Sequence, residues 1–205
     1  MYIPGHFNEA NVQIIHAFMR DYSFATLVST DENGVPIATP LPFLLESEPA
    51  PYGTLKAHMA LGNPQWKSFR ADQEVLVMFQ GPHAYITPSW YEQPLSVPTW
   101  NYAAVHAYGL PLLITETEAS YQDLKNLIDL HERQFEHPWS LEQVPDEYIQ
   151  KMMKGTVSFS IEITRLQGKF KMSQNRTPTE RERISEELEK SPDATRVAAS
   201  KLVKG

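Results

Sequence analysis

Hydrophobic and polar positions alternate over much of this chain, and elsewhere they recur at helical spacing. Thr156 to Thr164 is the clearest alternating stretch. Val157, Phe159, Ile161 and Ile163 fall on one side, with Ser158, Ser160 and Glu162 on the other, the period of a half-buried strand. Phe24 to Thr30 and Val35 to Leu45 read as two strands of a hairpin. They are joined by Asp31-Glu32-Asn33-Gly34, a turn whose Asn-Gly supplies positive φ. Pro36, Pro40 and Pro42 cannot donate ladder hydrogen bonds and place the returning strand at an edge, a bulge or a barrel rim. Further strands are predicted at Thr54 to Met59, Glu74 to Gln80, His83 to Thr87 after a break at Gly81-Pro82, and Pro98 to Thr115 with a bulge near Gly109-Leu110-Pro111. Leu166 to Met172 extends the strand from Thr156 after a turn at Gly168.

Helical spacing marks the remaining elements. Val12, Ile15, Phe18 and Met19 share one face of a helix capped by Asn8 and running to Tyr22. Asn63-Pro64 opens a short helix to Arg70. Longer helices are predicted from Thr117 to Phe135 and from Pro145 to Lys154. Thr177-Pro178-Thr179-Glu180 is a capping box before a charge-laced helix to Lys190, and Asp193 to Val203 forms the last helix. Six or seven closely spaced strands with occasional helices indicate a mainly β (α+β) fold, a small barrel with helical decorations. The expected layout is a barrel domain over residues 1–175 with inserted helices, and a helical extension over 176–205.

Composition narrows the function classes. The 205 residues carry 18 Lys and Arg against 25 Asp and Glu, a formal charge of −7 that disfavours bulk affinity for nucleic acid or anionic membrane. Cysteine is absent, which excludes disulfides, thiolate catalysis and Cys-type zinc sites. Neither a signal-like start nor an apolar run of spanning length is visible, so a soluble, cytoplasmic protein is expected. His131-Glu132 begins a zincin-like pattern, but Phe135 stands where the second histidine would be, and no metal site is expected. Gly-x-Ser-x-Gly, G-x-G-x-x-G and Walker patterns are all missing.

Two features remain. Tyr85, Trp90, Tyr91, Trp100, Asn101, Tyr102, His106 and Tyr108 crowd one region, including the aromatic, proline-containing loop from Ser89 to Val97. Trp100-Asn101-Tyr102 mixes flat rings with an amide, which suits either a planar heteroaromatic ligand or a core and subunit interface. Between Arg165 and Arg183 lie six basic residues against two acidic ones. Lys169-Phe170-Lys171 puts both ammonium groups on one strand face, and Ser173, Gln174 and Asn175 add hydrogen-bonding side chains, which suits an anion or a solvated strand end. Lys56 and Lys67, flanking Asn63, form a second candidate anion set.

Longer motifs run through the chain in order: Met1-Tyr2-Ile3-Pro4, His58-Met59-Ala60, Asn63-Pro64-Gln65-Trp66, Phe79-Gln80-Gly81-Pro82-His83-Ala84-Tyr85-Ile86, Val97-Pro98-Thr99-Trp100-Asn101-Tyr102, and Gly168-Lys169-Phe170-Lys171-Met172-Ser173-Gln174-Asn175-Arg176. In these the chain resembles the PaiB-type transcriptional regulators of the FMN-binding split β-barrel superfamily. The resemblance implies a Greek-key split barrel, a homodimer with flavin (FMN) held between subunits, and negative regulation of sporulation and protease-synthesis genes. It places Trp100, Asn101 and Tyr102 near the flavin ring, with His58, Asn63 and Lys67 near the phosphate, and Lys169, Lys171, Gln174 and Asn175 near the phosphate or ribityl chain. Leu61-Gly62 stands where the family usually carries Arg-Ala, which weakens the expected phosphate grip. No basic recognition helix is visible, so regulation without a DNA-reading element is expected, with direct nucleic-acid contact left open. The alternatives are a flavin-dependent oxidoreductase of a small substrate and a flavin-free dimer acting through protein contacts.

Overall fold

A computed structural model of the chain describes residues 1–48, 51–93 and 95–204. Pro94, inside the expected aromatic loop, lies outside the described residues. Among those described, the strands are β1 (Asn8–Glu9), β2 (Phe24–Thr30), β3 (Pro36–Pro42), β4 (Leu44–Glu46), β5 (Thr54–Ala60), β6 (Val75–Ile86), β7 (Thr99–Ile114) and β8 (Thr156–Lys171). The helices are α1 (Val12–Asp21), α2 (Thr117–Glu132), α3 (Asp146–Met153), α4 (Pro178–Glu189) and α5 (Ala194–Lys204). The class is α+β, as the pattern of short strands and scattered helices predicts. None of the helices described is long and apolar enough to cross a membrane.

The chain divides into two compact units, and β6, β7 and β8 contribute residues to both. One unit holds Met19–Phe79 and Ala107–Leu166. Its strands follow the order β3-β2-β6-β7-β8-β5-β4. The β2–β3 hairpin pairs Thr30 with Pro36 across the expected turn, where Asp31 Oδ1 accepts from the N–H groups of Asn33 and Val35 and Gly34 takes φ 78°. The proline-bearing β3 ends the strand order, so its missing donors break no second ladder. Phe43, Phe79 and Phe159 form the aromatic centre of this core, with ring centroids 6.1 and 6.5 Å apart. Gln65 is fully buried, and its amide donates to Leu27 O, Ser29 Oγ and Ile37 O, which fastens the 3-10 turn Pro64–Ser68 to the hairpin.

The other unit holds Met1–Phe18, Gln80–His106 and Gln167–Gly205. Here β1 pairs with β8, Asn8 opposite Lys169 and Glu9 opposite Gly168. α4 and α5 bury Ile184, Leu188, Ala199 and Val203, and Ser185 Oγ donates to Ser200 O at 3.0 Å. The capping box at Thr177 and Glu180 forms as expected.

Four local expectations change. Asn8 sits in β1, and Asn11 caps α1 instead, its Oδ1 accepting from Gln13 N at 2.9 Å. β6 runs through Gly81-Pro82 without a break, because its ladder to β2 ends at Met78 and a later proline breaks no bond on that side. β7 keeps strict burial alternation from Asn101 to Pro111, so no bulge shifts its phase. Its Gly109 allows close approach instead, since a Cβ there would stand 2.2 Å from Glu162 O. β8 likewise passes straight through Gly168, where a Cβ would stand 2.9 Å from Glu9 O and 3.1 Å from Ile15 Cγ1.

Candidate functional site

Strand alternation sorts the expected site residues. In β7, Trp100 and Tyr102 point one way and Asn101 the other. Trp100 is about half exposed (54%), whereas Asn101 is fully buried (0%) and exchanges hydrogen bonds of 2.9 and 3.2 Å with Ser173 Oγ. Ser173 has φ 62°, a left-handed conformation that is uncommon for a non-glycine residue, and its contact with Asn101 helps hold it. Asn101 therefore fixes the strand ends from inside and does not share a surface with the rings.

In β8 the same period puts Lys169 and Lys171 on the side opposite Phe170. Phe170 packs on Phe18 of α1, with ring centroids 5.1 Å apart. Lys171 Nζ donates to Trp100 O at 2.9 Å and to Thr99 Oγ1. Lys169 is buried, donates to Tyr2 O at 3.0 Å, and lies 5.1 Å from the Tyr102 ring centroid. Neither lysine has a carboxylate partner among the described residues. Burial pushes the Lys171 ammonium below its ordinary pKa, and the neighbouring Lys169 charge pushes the same way, against the Tyr102 phenol. Around them stand exposed rings: Tyr85 lies 5.9 Å and His83 6.1 Å from Trp100, centroid to centroid. The result is an aromatic surface beside two uncompensated cations, a setting that favours an anion with a flat body.

The loop after β6 is pinned to the start of α4. Glu92 N donates to Glu180 Oε1 at 3.0 Å, and the Arg176 guanidinium lies 3.7 Å from the Tyr91 ring centroid. Burial alone would raise the Glu180 pKa, but the N–H groups of Glu92 and Thr177, with Arg176, hold it below the ordinary value.

Gln174 and Asn175 lie just past β8. Gln174 spends its amide locally, accepting from Met172 N at 2.7 Å and donating to Phe170 O, and Asn175 is exposed. Lys56, His58, Asn63 and Lys67 belong to the other unit. Lys56 is bound by Glu46 and Asp123, each at 2.8 Å. Desolvation opposes its charge, but these two carboxylates raise its pKa overall. His58 sits opposite Ser158 in the β5–β8 pair, and burial lowers its pKa. Asn63 caps the 3-10 turn through Gln65 N and donates to Thr39 Oγ1 at 3.1 Å. Lys67 is exposed over the Trp66 ring, 5.6 Å from its centroid. In the Leu61-Gly62 segment, Leu61 O accepts from Trp66 Nε1 at 3.1 Å. Tyr2 and Thr99 are the neighbours of the lysines that residue spacing alone did not single out. Both meet β8 across long sequence separations, where no local pattern operates.

Residues 1–165 match the model of a family described as "Putative FMN-binding domain". The chain is also 40% identical over 200 residues to "Protease synthase and sporulation protein PAI 2" of Bacillus subtilis, covering 97% of this chain and 95% of that one. It belongs to this PaiB-type, FMN-binding-domain family. FMN is thus the cofactor that the family description names. Among solved structures, a conserved hypothetical protein of Mycobacterium tuberculosis aligns with a TM-score of 0.60 at 13% identity, covering 87% of this chain and 94% of that chain. The FAD and heme binding protein of Mycobacterium smegmatis aligns with a TM-score of 0.59 at 14% identity, covering 80% and 73%. These likenesses carry the fold alone, the split barrel expected of the family.

Proposed function

We propose that this member of the family is a cytoplasmic, flavin-binding homodimer that acts in a repression pathway without a DNA-reading helix of its own. The observation that carries the flavin part is the pair Lys169 and Lys171 beside Trp100 and Tyr102, with no carboxylate partner among the described residues. The donor set fits FMN: ammonium groups for an anionic group and exposed rings for the flat tricycle. Trp100, Tyr102, Lys169 and Lys171 are therefore the residues assigned to the flavin. Lys56 is already neutralised by two carboxylates, and the amides of Asn63, Asn101 and Gln174 are spent within the protein. When bound, the flavin would supply one- or two-electron redox chemistry, and the protein's part is to hold and orient it.

The regulatory part rests on the Bacillus relative, whose name links it to protease synthesis and sporulation. Indirect action is supported by charge. α4 mixes Arg181 and Arg183 with Glu186, Glu187 and Glu189, and its arginines are engaged by Val203 O and Glu92. The dimer is supported by the exposed apolar positions Leu95 and Val97 on the pinned loop, next to exposed Trp100.

Purified protein titrated with FMN should show a thermal midpoint that rises with ligand and a mass of two chains in solution. No midpoint shift with excess FMN, or a monomer, would overturn the reading. A promoter fragment shifted with a steep salt slope would overturn the indirect mode. The exposure of Trp100 and Tyr85 favours one second reading, a flavin-dependent oxidoreductase, because a ring held against them stays open to a reductant. That reading predicts bleaching of the flavin band by reduced nicotinamide and recovery in air.

A further inference from the structure

A cavity of about 330 Å³ lies within the unit that contains the N-terminal segment and the C-terminal helices, lined on the β8 side by Phe170. Phe170 alternates with Lys169 and Lys171, so this cavity is distinct from the flavin surface. Its apolar lining is Phe7, Ile14, Phe170 and Leu202, and its polar lining includes His6, Arg181 and Lys201. The volume falls in the range of small-molecule sites, about 300–1,000 Å³.

Charge sets the class of guest. Lys201 is exposed and makes no ion pair or hydrogen bond among the described residues. Arg181 gives Nη2 to Val203 O, while its Nε is buried without a hydrogen-bond partner. Arg181 thus brings a guanidinium to the lining, and an oxyanion is the group that such a fork pairs with best. Glu9 also lines the cavity, and its Oε1 accepts from Asn11 N at 2.7 Å. The lining thus sets two cations, Arg181 and Lys201, against one carboxylate, in a chain whose net charge is −7.

We propose that this cavity is a second binding site, for a small organic anion with a phosphate or carboxylate head and a short apolar body. Its lining joins the 3-10 turn at Gly5–Phe7 to α4 and α5, so an occupant links the first residues of the chain to its last helices. A ligand taken here stabilises the state in which those helices are docked.

Phenyl phosphate is the probe, followed by calorimetry and by backbone amide shifts of the full-length protein. Saturable binding is expected, with perturbed amides at His6, Phe7 and Lys201. Inorganic phosphate, lacking the apolar body, should bind more weakly. Lys201→Glu, on an exposed helix position, should weaken phenyl phosphate on the order of tenfold or more while the fold, by circular dichroism, is unchanged. Lys171→Glu should leave phenyl phosphate binding intact and impair only FMN. The proposal is overturned if the wild type shows no saturable binding, if Lys201→Glu binds as the wild type does, or if Lys171→Glu alone abolishes it.

Discussion

Lys56 on β5 and Lys171 on β8 are both half-buried strand lysines, yet their surroundings are opposite. Lys56 has carboxylates on two elements, Glu46 of β4 and Asp123 of α2, each 2.8 Å away, and its pKa rises. Lys171 has a carbonyl, a hydroxyl, the Tyr102 phenol and a second lysine for neighbours, and burial, aided by the Lys169 charge, lowers its pKa. The first charge is already neutralised and ties β4 and α2 to β5. The second remains uncompensated, and an incoming anion would relieve it. A candidate anion site is therefore better judged by the absence of carboxylates around a cation than by the presence of the cation.

That contrast can be broken directly. Thr99→Asp would give Lys171 the carboxylate that Lys56 has, and FMN affinity should fall on the order of 100-fold in a fluorescence titration. Unchanged affinity would mean that Lys171 does not meet the flavin. Asn101→Leu removes the partner of Ser173 inside the same unit, leaving a buried hydroxyl unpaired at φ 62°. About 1–3 kcal/mol of stability should be lost, which for a chain of this size lowers the thermal midpoint by several degrees. Wild-type melting would show that Asn101 positions nothing.

Lys56→Met sharpens the comparison from the other side. It should cost about 1–2 kcal/mol in denaturant melts, because Asp123 loses its counter-ion, while FMN affinity stays at the wild-type value. The smallest effect concerns His58. Burial holds its folded pKa below the ordinary imidazole value of 6.5, so the unfolded chain binds the extra proton first. Its contribution to stability is complete above about pH 6.5 and is lost as pH falls from there through the folded pKa. His58→Gln should flatten that part of the stability profile, and an unaltered profile would place the titration elsewhere.

Much of the fold was legible because it is local. The Asp31–Gly34 turn, the Asn63 cap and the Thr177–Glu180 capping box all depend on side chains within a few residues of the backbone they serve. Glycine and proline misled where their role is long-range. Gly109 and Gly168 read as interruptions, but both make room for a passing strand or helix. The candidate site was half legible for a related reason. The two-residue period correctly put Lys169 and Lys171 on one face, and the same period sends Asn101 away from Trp100 and Tyr102, although all three are adjacent in sequence. Lys56 looked free because the carboxylates that hold it lie on other elements, Asp123 some 67 residues away.

The most direct test is the dissociation constant of FMN for the wild type and for Lys169→Ala/Lys171→Ala, measured by quenching of flavin fluorescence, with circular dichroism as the control for folding. Saturable binding by the wild type and a loss on the order of 100-fold in the double variant are expected. Equal affinity in the two proteins, or no binding by the wild type, would contradict the assignment of the β7–β8 lysine and aromatic face to the flavin.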